Sequence, residues 1–91
     1  MSVLNLTREE LIARVGGEAA ANVLFVMHGE GFEPGSFTTA LINTLAKADT
    51  YNLMKIGREY PDLAAAVDAY KNTDYGLSVL QEIMENLIKG S

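Results

Sequence analysis

The stretch Thr7–His28, TREELIARVGGEAAANVLFVMH, decides the fold class, because it ends in Asn22–Met27, NVLFVM, the one run in the chain that a β-strand could use. Its start is well marked. The Thr7 side chain can accept from the backbone N–H of Glu10 while the Glu10 carboxylate reaches back to the Thr7 N–H, which makes a capping box. Glu10 and Arg14 follow at i,i+4 with the acid first, the favourable order along a helix. Gly16-Gly17 then breaks the chain, and Glu18 opens a second helix, Glu18–His28, at the positive end of its dipole. The alternative is one bent helix, since Leu11, Val15, Ala19, Val23 and Met27 form a single i,i+4 row across the glycines. The glycine pair favours two. In both cases NVLFVM does not alternate apolar with polar residues, so it reads as buried helix.

The same spacing continues downstream. GEGFEPG, residues 29–35, is loop, and Ser36 is the expected N-cap of FTTALINTLAKA, whose Phe37, Leu41, Leu45 and Ala48 make an apolar stripe with Ala40 and Thr44. Asp49 caps TYNLMKIGREY, with Leu53, Ile56 and Tyr60 on one side. Pro61 restricts Tyr60 and ends that helix, then opens PDLAAAVDAY at the position where proline lacks no useful donor. KNTDYG is a turn, with Thr73 or Asp74 available as a cap. The last helix carries Leu77, Leu80, Ile83, Met84, Leu87 and Ile88, a face wider than one neighbour covers, and stops at Gly90; Gly90-Ser91 has the composition of a tag remnant. The expected fold is all-α, a compact bundle of five or six short helices forming a single helical domain over residues 1–91.

Composition narrows the function classes. The chain has 91 residues and an apolar share of 48 %, with no disulfide to staple it, so a homo-oligomer burying part of that surface is expected. The absence of cysteine removes thiol nucleophiles and thiolate metal sites and suits a cytoplasmic setting. No apolar run approaches the ~18 residues that span a bilayer, and MSVLNLTREE lacks a secretory leader, so no membrane partner is expected. Twelve acidic against seven basic residues give a net charge of −5, the wrong sign for a nucleic acid polymer. The seven cations are scattered, although a few can still converge on one small anion.

No residue pattern names a catalytic reaction. His28 is the only histidine; His28–Glu30, HGE, lacks the further ligands that a zinc deaminase requires, and reads as a histidine at a helix C-terminus. No cofactor is implied, and a non-catalytic protein is expected. The candidate ligand site is PGSFTT. A helix N-terminus offers unpaired N–H groups and partial positive charge to an anion. Gly35 permits close approach, Ser36, Thr38 and Thr39 add hydroxyls, and Phe32 and Phe37 offer ring faces for a base. A plain helix cap uses the same residues. A second candidate is the helix after Asp49, where Tyr51, Lys55 and Arg58 share a polar face suited to a small anionic aromatic ligand.

The order PGSFTTALI, then KAD with Asn52, then YPDLAAAVDAYKN resembles small uncharacterised helical proteins of bacteriophages and prophages, over Gly31–Asn72. In architecture the chain is also similar to phage anti-defence proteins that sequester cyclic nucleotide or cyclic ADP-ribose immune signals in the host cytoplasm, commonly small, helical and oligomeric. That likeness implies a small phosphate-containing signalling molecule as partner, held by the residues of the two candidate segments. The alternative is a protein-interaction module that inhibits or regulates a host protein, of the anti-CRISPR, anti-restriction or adaptor type.

Overall fold

The computed structural model describes residues 2–90; Met1 and Ser91, and with Ser91 the tag-remnant reading, lie outside the described residues. Six helices follow one another: α1 (Arg8–Arg14), α2 (Gly17–His28), α3 (Ser36–Lys47), α4 (Thr50–Gly57), α5 (Pro61–Asn72) and α6 (Gly76–Lys89). The described residues hold no strand, so the chain is all-α, and NVLFVM lies inside α2.

The local signals act as their chemistry requires. Glu10 N–H donates to Thr7 Oγ1 at 3.1 Å and Thr7 N–H to Glu10 Oε1 at 3.0 Å, closing the capping box. The Gly16-Gly17 step separates α1 from α2, so the single bent helix does not form; Gly16 is the N-cap and the helix begins at Gly17, one residue before Glu18. At the other end of α2, Gly29 adopts φ 82°, and the Glu30 N–H reaches back to Leu24 O at 3.4 Å, a left-handed helix stop. Asp49 caps α4 by accepting from Asn52 N–H at 2.8 Å, and Pro61 sits in the first turn of α5.

Helix α5 is the hub. It packs against each of the other five helices. Six consecutive residues, Ala64–Ala69 of sequence AAAVDA, are buried, so burial runs around the middle of the helix instead of along one stripe. Alanine makes that possible, since its single methyl lets neighbouring backbones approach closely. The closest approach is at the α5–α6 crossing, where a Cβ on Gly76 would overlap the carbonyl of Ala69.

The largest polar group inside the hub is Asp68, only 2 % exposed. Its carboxylate takes four donors: Ser2 Oγ at 2.7 Å and Leu4 N–H at 3.1 Å on one oxygen, Val3 N–H and Asn72 Nδ2, both at 2.9 Å, on the other. Burial pushes this carboxyl upward. The hydrogen bonds from Val3, Ser2, Asn72 and Leu4 outweigh that effect and hold it below the ordinary aspartate value. Through it the N-terminal arm, Ser2–Leu6, is strapped onto α5, and Tyr75 Oη donates to Leu6 O at 2.6 Å at the arm's far end.

Four expectations need correction. Ser36 is the first helical residue of α3 and not its cap; Gly35 is the N-cap, with the Thr39 N–H bonded to Gly35 O at 3.0 Å, and Ser36 makes no capping bond. Phe37 does not enter the core: α3 turns Ile42 and Leu45 inward with Leu41 half-buried, leaving Phe37 65 % exposed. Neither Thr73 nor Asp74 caps α6, because Tyr75 occupies that position and the Thr73 hydroxyl instead donates to Ala69 O at 2.8 Å. Helix α4 stops at Gly57, so Tyr60 lies beyond it as the N-cap of α5, and Ile88 is 52 % exposed near the end of α6, while Leu87 packs close to Gly17 of α2.

Two outcomes follow from α5. Asp68→Asn removes the charge that four donors face and is expected to cost about 2–3 kcal/mol in urea unfolding at pH 7. Since the folded carboxyl lies below its ordinary value, that stabilisation is present above about pH 4 and is lost as the pH falls through the lowered folded value; the gap between wild type and Asp68→Asn should therefore narrow progressively as the pH is taken below about 4. Gly76→Ala, with no space for its methyl group, should cost about 1–3 kcal/mol or more at every pH.

Candidate functional site

A groove of about 340 Å³ runs between the N-terminal arm, the end of α1, the α4–α5 junction and the start of α5. Missing side chains make it. Gly57, Ala64 and Ala65 leave its floor shallowly filled, and Leu4 and Leu6 from the arm line it together with Met54 of α4 and Pro61 of α5. Position 57 suits this packing, since even a Cβ there would lie 3.2 Å from the Ala64 methyl.

Three charged groups border this apolar trough: Arg14, Arg58 and Asp62. Asp62 is committed, accepting from the Gly16 N–H at 3.1 Å and so satisfying a donor at the start of α2. Arg14 keeps a long 3.5 Å contact with Glu10 on its own exposed helix face, a weak pair that water and salt compete with. Arg58 pairs with no carboxylate among the described residues. By contrast, Arg8 is tied to Glu82, and the Lys71 ammonium donates to Ala46 O. The groove thus combines an apolar floor with two guanidinium groups, one unpaired and one loosely held.

Of the residues expected from sequence, only Arg58 lines the groove. Tyr51, two turns earlier on α4, is 70 % exposed and carries the Lys55 ammonium 5.8 Å above its ring centroid. Phe37 reaches the α4–α5 junction through Tyr60, with centroids 6.2 Å apart and planes tilted by 55°. Phe32 is drawn toward α2, where its N–H meets Ala21 O at 3.3 Å and its carbonyl accepts from Asn22 Nδ2 at 2.9 Å. Gly31 makes this tuck possible with φ 111°, at a point where a side chain would strike the Ala21 carbonyl. Gly35, Ser36, Thr38 and Thr39 stand together at the start of α3 and line neither the groove nor the second, shallower depression of about 380 Å³ beside Thr44, Lys47 and Asn52.

Sequence reasoning missed Arg14, Met54, Asp62 and the two arm leucines. One signal was available, an aspartate within an alanine run, which must find donors if its helix is buried. Nothing in the sequence says that those donors are Ser2, Val3 and Leu4.

His28 ends α2 as expected. Tyr70 Oη donates to Met27 O at 3.2 Å and also lies 3.2 Å from His28 Nδ1, while Nε2 of that ring lies 3.9 Å from Glu30. This arrangement serves the end of α2, and His28 lines neither of the two depressions described above. Among the described residues no cluster of three or more histidine, aspartate or glutamate side chains is placed to hold a metal ion. No helix of the described residues is long and apolar enough to cross a membrane.

Because Arg58 is exposed and without a carboxylate partner, Arg58→Ala should leave stability within about 0.5 kcal/mol of wild type in urea unfolding. A larger loss would mean that the guanidinium has a structural role. Comparison with protein families, with curated proteins and with solved structures finds nothing that matches the chain.

Proposed function

We propose that the protein is a non-catalytic binding protein whose groove takes one small amphipathic anion, an apolar or aromatic body carrying phosphate. The observation that carries this reading is the unpaired Arg58 guanidinium bordering an apolar trough that Arg14 also lines. At about 340 Å³ the space lies at the small end of ordinary ligand sites, which fits one compact molecule. The ring or base would lie on Ala64, Ala65 and Met54, and its phosphate would meet the two arginines, which suit phosphate geometry better than lysine does.

A cyclic nucleotide or a cyclic ADP-ribose isomer has this chemistry, so the reading agrees with a phage anti-defence protein that sequesters an immune signal. Ser36, Thr38 and Thr39 would contribute only from a second copy in a homo-oligomer, since they lie away from the groove of their own chain. A second reading, a protein-interaction module, draws on the exposed Phe37, Tyr51 and Met54 beside the groove.

Calorimetric titration against cyclic mononucleotides, cyclic dinucleotides, cyclic ADP-ribose isomers and inorganic phosphate separates them. One organic phosphate should bind in the micromolar range and be released intact on denaturation. Arg58→Ala and Arg14→Ala should each weaken it at least ~10-fold, roughly 1.4 kcal/mol, while phosphate alone binds far more weakly. Recovery of altered ligand, silence across the panel, or undiminished affinity in the double variant would overturn the proposal and favour a protein partner.

A further inference from the structure

The arm that walls the groove is built unlike the rest of the fold. Ser2–Leu6 has no helical hydrogen bonds of its own, and its hydrogen bonds to the helices end on two side chains only, Asp68 and Tyr75. Between those two anchors Asn5 turns the arm with φ 54°, a conformation asparagine tolerates better than most residues, and its N–H folds back onto Ser2 Oγ at 3.0 Å. On the inner side, Leu4 and Leu6 are half-buried against the core while also lining the groove. Ala65, on the floor, is 5 % exposed.

We propose that this arm is a hinged wall, a segment that opens apart from the helical fold and, in opening, uncovers the groove floor. Two anchors make the motion discrete. Breaking the Asp68 cluster frees Ser2–Leu4 while Tyr75 still holds Leu6, and the left-handed turn at Asn5 lies between them as the place where backbone direction can change. A segment outside any helix, held by side-chain tethers and by the half-buried Val3, Leu4 and Leu6, opens at lower free energy than the whole domain. Helices α2, α5 and α6 are held more closely, each packing against at least three others. As the regulation of the groove this rests on the binding reading above, yet the motion itself requires no ligand.

The chain has no cysteine, so single-cysteine reporters are clean. Three are placed: Leu4→Cys on the arm, Ala65→Cys on the groove floor, and Ala66→Cys, fully buried and outside the groove. Ala64→Cys substitutes for Ala65→Cys if the latter fails to fold. Iodoacetamide labelling is followed under native conditions and in rising urea without any ligand. The arm and floor thiols should react at least ~10-fold faster than the Ala66→Cys thiol, with little dependence on urea. Ser2→Ala and Tyr75→Phe, each removing one tether, should accelerate the first two and leave the third at the rate set by global unfolding. Equal rates at all three positions would overturn the proposal, since the arm would then open only with the whole domain. A fast arm thiol with a floor thiol as slow as Ala66→Cys would overturn it too, because the motion would not uncover the groove. Neither result depends on whether any phosphate compound binds.

Discussion

A single carboxylate, that of Asp68, must be satisfied before the rest of this fold can close. A bare carboxylate buried among alanines would cost several kcal/mol and would instead take up a proton. Four donors, two on each oxygen, let it stay charged, and three of them come from the arm some 65 residues earlier in the chain. A local choice of residue in α5 therefore dictates a long-range connection. The arm is set on α5 by charge-assisted hydrogen bonds whose geometry fixes its register, and the leucines merely follow.

The same helix explains both the tight packing and the groove. Where backbones come together, as at the Gly76 crossing over Ala69, small side chains let them touch. Where nothing larger comes to fill the space, as between Ala64, Ala65 and Gly57, they leave a trough. Five neighbours crowd α5, but none covers its first two turns fully, because α4 ends at Gly57 and the chain must turn through Arg58–Tyr60 before proline can start the next helix. That short connection brings Arg58 to the rim. The groove is thus a consequence of how one alanine helix is wrapped.

Local chemistry was legible in the sequence and distant pairing was not. The capping box at Thr7, the break at Gly16-Gly17, the Asp49 cap and the Pro61 start involve residues within four positions of one another, so spacing alone reveals them. Errors arose where several helices compete for one side chain. Phe37 has the stripe position of a core residue, yet Ile42 and Leu45 won the inner face of α3, and Phe37 packs on Tyr60 at the surface instead. In α5 the large apolar residues Leu63, Val67 and Tyr70 suggest one face, and Val67 is fully buried as that face requires, with Leu63 and Tyr70 packed against the core; burial then extends beyond it through Ala64, Ala65, Ala66 and Ala69, which large-residue spacing does not mark. Of the candidate residues Arg58 alone was placed at the groove, and for a reason sequence could supply: a cation on the polar side of a short helix, next to a proline turn. Arg14 and Asp62 come to the same place only because Asp62 holds the start of α2, a contact spanning 46 positions.

The electrostatics of the groove run against the chain as a whole. With a net charge of −5 the protein repels anions at long range, but in physiological salt that field decays over roughly 8 Å, and beyond it an approaching phosphate meets little resistance. Close to the rim the balance reverses. Asp62 directs its charge to the Gly16 N–H, while the guanidinium of Arg58 has no competing carboxylate and that of Arg14 only a long one. Two cations against one engaged carboxylate thus border the apolar floor, and water displaced from Ala64, Ala65 and Met54 would add to the attraction. A purely ionic ligand would gain only the weak surface term, and a purely apolar one would leave the guanidinium groups unused. The pairing of the two surfaces selects molecules that are both.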